Sequence, residues 1–156
     1  MDYFCISGRS MEPFLKKKTD LIVSHASKIE DVRFGDIITF YNKNNEFIED
    51  KTNIVCHRVI GIKKSSENIV LVEKGDNYLE CTEVNKSNFI GKVKTVCKNN
   101  KTIDLSNRKW RILNKIFATT SRLAYFYNVK LRGRVNIEHK RGIHYKLESL
   151  ILRLFA

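Results

Sequence analysis

The sequence predicts a small, strongly curved, mainly β domain with antiparallel strands, followed by a basic helical extension. Three observations carry that reading. The first hundred residues are largely short β-branched and aromatic runs broken by polar turns. Strands this close together favour antiparallel pairing, because parallel crossovers need a dozen or more residues. Near Leu105 the apolar period turns helical, and the charge changes with it.

The strand runs are residues 21–23, 36–41, 54–60, 69–72 and 89–96, with polar turns at 42–45 and 64–68 between them. Ser106 then suits a helix N-cap, because its hydroxyl can accept from a free backbone N–H. Beyond it Trp110, Leu113, Ile116 and Phe117 share one face, while Arg108, Lys109, Arg111 and Lys115 lie elsewhere. Ile143, Leu147, Leu150, Ile151 and Leu154 form a second helical stripe, and Gly133 and Gly142 punctuate the linker. The expected division is a β domain over residues 1–105 and an amphipathic helical extension over 106–156.

At 156 residues, 42% hydrophobic and 29% charged, the chain is sized for one packed domain with an appendage. It has no run of 18 apolar residues, and its start lacks the basic and apolar regions of a secretory signal. A cytoplasmic protein is therefore expected. Cys5, Cys56, Cys81 and Cys97 stand singly and read as small buried apolar side chains in a reducing compartment. No metal site and no cofactor is expected. The formal charge of +12 is concentrated at one end: residues 108–156 have Glu138 and Glu148 as their only acids.

Three short motifs occur in order: Gly8-Arg9-Ser10-Met11-Glu12-Pro13, Cys56-His57-Arg58-Val59-Ile60-Gly61 and Lys74-Gly75-Asp76-Asn77. They supply a serine, a histidine and an acid, the parts of a nucleophilic hydrolase. A serine hydroxyl needs a base within hydrogen-bond reach, and His57 lies in an apolar strand with Val55 and Val59 on its face. Gly8 would let the backbone approach a scissile carbonyl, and Met11 and Pro13 would fix the loop. The Ser10 N–H is a natural oxyanion donor. Asp76 would orient His57; Glu80 and Glu83 are open alternatives. His25, His139 and His144 have no such context and read as surface residues.

These motifs resemble those of the signal peptidase I family, membrane-associated serine proteases that remove signal peptides. Gly8–Pro13 looks like the nucleophile box, and Phe34-Gly35-Asp36-Ile37-Ile38 looks like a Gly-Asp strand of the family. His57-Arg58-Val59-Ile60-Gly61 stands where most bacterial members carry a lysine base, as in the Ser–His branch of endoplasmic-reticulum, archaeal and sporulation enzymes. Lys74–Asn77 resembles the last box. The resemblance covers about residues 6–97 and implies a β domain of signal-peptidase type. It also implies a serine endopeptidase that cleaves a signal or leader peptide with small residues beside the cut. Extended substrate would pair with an exposed strand edge.

Three departures stand out. The family usually carries a spanning anchor just before the serine, whereas Ser10 is near the start; the acid expected after the third box falls at Thr82 or Glu83; and the end of the chain is basic and amphipathic. Repressor-cleavage peptidases share the fold but use a Ser–Lys dyad and fit less well. The extension reads as a helical pair packed on the β domain or as a peripheral contact with an anionic membrane through residues 106–156; no recognised motif favours nucleic acid. The alternative to the enzyme is a catalytically idle peptidase-like binding module at a membrane surface or on nucleic acid.

Overall fold

The computed structural model describes residues 2–5, 8–17, 21–42, 54–66, 68–98, 101–127, 146 and 149–153. Among the described residues eight strands build one antiparallel sheet. They are β1 (Asp2–Cys5), β2 (Leu21–Ala26), β3 (Ile37–Tyr41), β4 (Ile54–Lys64), β5 (Ile69–Lys74), β6 (Cys81–Val84), β7 (Phe89–Lys98) and β8 (Lys101–Asp104). A 3-10 turn occupies Ile29–Asp31, and helix α1 runs from Arg108 to Tyr125.

The strand order is β1-β2-β7-β3-β4-β5-β6, with β8 also on β7. Register shifts at Val23/Ser24, Thr39/Phe40 and Val59/Gly61 place irregularities in the pairings β2–β7, β3–β7 and β4–β5. Each such bulge bends its strand and adds right-handed twist, so the sheet curls. The long strand β7 binds β3 near its start and β8 near its end, with β2 opposite.

Both faces of the sheet are apolar at its centre. Ile37 joins Met11, Phe14, Leu15, Ile22, Leu113 and Phe117 on one side, whereas Ile38 joins Ile29, Val32, Val59, Leu71 and Val84 on the other. That explains why residues 37–40 are buried one after another and not alternately, with Thr39 as the one polar residue among them. Strand β3 is sandwiched.

Helix α1 closes the first core with Leu113, Phe117 and Ala118. Its N-cap is Asn107, whose side chain accepts from Lys109 N at 3.0 Å. Ser106, the expected cap, is instead held by Asp104, which accepts from both its N–H and its hydroxyl. Ile116 also departs from expectation: it is exposed, because Asn114 and Ser121 complete the buried face. Residues 149–153 are helical, and Leu152 and Ile151 pack into the core under α1. His139, His144, Gly133, Gly142, Ile143, Leu147, Leu154 and Phe155 lie outside the described residues.

The cysteines are free, but not buried as expected. Cys5 is exposed at the end of edge strand β1, and the other three are half-buried, Cys56 packing against the first core.

Candidate active site

Ser10 lies in the turn-rich loop between β1 and β2. Three residues of that loop are core residues: Met11, Phe14 and Leu15 are 2%, 3% and 0% exposed. Burial of these large apolar side chains just after Ser10 anchors the turn on the core. The loop is tied further by the third motif. Asn77 N donates to the Ser10 carbonyl at 2.7 Å, and its side-chain amide donates to the Arg9 carbonyl at 3.3 Å.

His57 sits on β4, opposite Ile38 of β3. Its Nδ1 is 2.5 Å from Glu73 Oε2. Glu73, on β5, is 2% exposed, and its other oxygen accepts from the Thr82 hydroxyl on β6. The register explains the meeting: Glu73 faces Val59 on one side and Thr82 on the other. Side chains alternate along a strand, so His57 shares a face with Val59 and lies diagonal to Glu73. Phe40 packs edge-on against the imidazole, with ring centres 6.0 Å apart. A carboxylate on Nδ1 selects the tautomer with its proton there, which leaves Nε2 as an acceptor.

Gly75 shows where Nε2 points. A Cβ built on Gly75 would lie 3.0 Å from Ser10 Cβ, 3.1 Å from His57 Nε2 and 2.8 Å from the Ser10 carbonyl oxygen. The serine and the free imidazole nitrogen thus border one small space, and the missing side chain keeps it open.

Asp76 takes a different place from the one expected. It forms a two-pronged ion pair with Arg58, at 2.8 Å on both arms, and both side chains are fully buried. Arg58 also donates to Asn114 Oδ1 on α1 at 2.8 Å and lies 5.2 Å from the ring centres of Phe14 and Phe117. With both oxygens so occupied, Asp76 braces the site from behind, and the carboxylate on His57 is Glu73. Glu83 pairs with Lys63 on the surface, and Glu80 is exposed. Lys74, also fully buried, donates to Ser121 on α1 and to the Gly75 carbonyl. Glu73 escapes sequence reading because it falls one residue before the third motif. The available signal was an acid two residues after Leu71, on the same face of an apolar strand.

Gly35 of the Gly-Asp strand adopts φ +92°, and a Cβ there would meet the Asn114 carbonyl at 2.9 Å. Glycine is required both for the left-handed backbone and for the approach of α1. Asp36 binds Lys92 at 2.8 Å, away from the serine.

Beside Ser10 lies a cavity of about 140 Å³, lined by Phe4, Cys5, Gly8, Met11, Ile22 and residues 54–56. Pro13 does not line it. His25 is half-buried on β2 and pairs with Lys92 of β7. Burial pushes the Cys56 thiol well above its ordinary range, with Arg58 offsetting part of the effect. Among the described residues no helix is long and apolar enough to cross a membrane.

The chain is similar to signal peptidase I W of Bacillus subtilis (strain 168), with 31% identity over 72 residues. That stretch is 46% of this chain and 34% of the relative, so the match spans about a third of the relative's length. No family model matches, and no solved structure matches. A partial relationship to the signal peptidases is the level this similarity supports.

Proposed function

We propose that the chain is a serine endopeptidase of signal-peptidase type, with Ser10 as nucleophile, His57 as general base and Glu73 as the positioning carboxylate. The observation that carries the reading is the His57 ring itself. Its Nδ1 is engaged by buried Glu73, and its Nε2 borders the space occupied by Ser10. On substrate binding, Ser10 Oγ attacks the scissile carbonyl while His57 Nε2 takes its proton. Glu73 stabilises the imidazolium that forms, and the same proton then passes to the leaving amine. Water repeats the sequence to release the acyl group. The Ser10 N–H supports the oxyanion, a contribution of about 3 kcal/mol in hydrolases of this kind.

The cavity beside Ser10 suits one small apolar side chain of the substrate. Its walls include edge strand β1 and the stretch of β4 before Arg58, where the described pairing with β5 begins. An extended peptide laid between them would find unpaired backbone groups on both sides. A signal or leader peptide has that extended, small-residue character at its cleavage point.

Cleavage of a randomised peptide library by wild type, Ser10→Ala and His57→Ala tests this reading. Loss of cleavage in both variants, with the fold intact, is the expected result. Cleavage retained in Ser10→Ala sinks the assignment. Folded wild type that binds peptide without cutting it favours an idle binding module.

A further inference from the structure

Helix α1 has two apolar faces, and the core uses one of them. Leu113, Phe117, Ala118 and Ser121 are buried, yet Ile112, Ile116, Leu123, Phe126 and Tyr127 are exposed, Leu123 by 63%. At 3.6 residues per turn these five fall on a single stripe running the helix's length and just past its end. Arg108, Arg111, Lys115 and Arg122 form a row directly beside it. No acid occurs between Leu105 and Glu138, while eight Lys or Arg do.

A second feature adjoins that row. A cleft of about 200 Å³ between α1 and the sheet is lined by Arg33, Lys92, Lys94, Arg111 and Asn114. Its one acid, Asp36, is engaged with Lys92 at 2.8 Å. The cleft is therefore positive overall and opens on the basic side of the helix.

We propose that this face of α1 lies in the surface of an anionic lipid bilayer, with the stripe among the acyl-chain ends and the basic row and cleft on headgroup phosphates. An apolar stripe flanked by cations is what an interfacial helix needs, and a duplex nucleic acid would give the five exposed apolar residues nothing to bury against. The same helix holds the Ser10 loop: Phe14 packs on Trp110 and Phe117, with ring centres 5.9 and 6.0 Å apart. Docking would thus set the candidate active site at a fixed height over the membrane surface. The proposal stands on the helix alone and does not rest on the peptidase reading.

Flotation of the full chain carrying Ser10→Ala tests it, with vesicles of phosphatidylcholine and of phosphatidylcholine containing one-third phosphatidylglycerol. Binding to the anionic vesicles alone is expected, with release by high salt. Arg111→Gln with Lys115→Gln should weaken it about tenfold or more. Leu123→Ser, at the most exposed stripe position, should weaken it about tenfold while leaving the thermal melt unchanged. No anionic binding, equal binding to neutral vesicles, or binding indifferent to Leu123→Ser would overturn the proposal. So would DNA-duplex binding that matches vesicle binding in strength and ignores the stripe.

Discussion

Arg58 and Asp76 form a fully buried, two-pronged ion pair that joins β4 to the turn behind Ser10. Around it Arg58 reaches Asn114 on α1 and lies near the faces of Phe14 and Phe117. Sheet, turn, helix and serine loop all meet at one guanidinium. Removing one partner of such a pair strands the other charge without solvent. Asp76→Asn is therefore expected to lower unfolding stability by about 3 kcal/mol. Urea denaturation measures this. At low temperature the variant that remains folded should keep most of its kcat, which separates a bracing role from direct contact with His57.

Glu73→Gln is expected to act on chemistry. The amide can turn its NH₂ toward Nδ1 and favour the wrong imidazole tautomer, which in a related arrangement lowers kcat by about 10⁴-fold. KM should change little, since Glu73 lies behind His57 and not in the cavity. Glu73→Asp, which keeps the charge, should recover part of the rate. A parallel fall in kcat and stability, with no recovery by aspartate, would make the residue merely structural.

The contrast between these two acids shows what the chain's order reveals and what it conceals. Ser10, His57 and the Lys74–Asn77 turn are legible because each carries its chemistry within a contiguous motif. The Glu73 contact is diagonal between strands, so it depends on a register that no local pattern encodes. The strands at 21–26, 37–41, 54–64, 69–74 and 89–98 announce themselves through apolar runs, although all but β3 extend past the expected ends. β1, β6 and β8 do not. Each has four residues, β8 is mostly polar and β6 half so, and their pairing with a longer neighbour defines them. The N-cap of α1 falls one residue after the expected Ser106 because Ser106 and Asn107 are both good caps, and Asp104 captures the serine.

Gly75→Ala should disable the site without unfolding the protein. The added methyl would meet the Ser10 carbonyl at 2.8 Å and crowd both Ser10 Cβ and His57 Nε2. Backbone on one side and a held ring on the other leave little room to yield. We expect loss of cleavage with a change in stability of about 1–3 kcal/mol, the ordinary range for overpacking. Peptide cleavage and a thermal melt on the same sample check both parts.

Thiol chemistry offers a final test of the cavity. Cys5 and Cys56 both line it, but only Cys5 is exposed. The reactive species in alkylation is the thiolate, so a raised pKa protects a cysteine until the pH approaches it. Burial pushes Cys81 up to about 12, and Cys56 higher still. Near pH 8 iodoacetamide should therefore modify Cys5 well before either. Carbamidomethyl-Cys5 would fill part of a space of about 140 Å³ beside Ser10. Cleavage should fall in step with its labelling, a substrate-like peptide should slow both, and Cys5→Ser should be active and resistant. Peptide mapping by mass spectrometry against residual activity reads all three. Full labelling of Cys5 with undiminished cleavage would place the substrate outside this cavity.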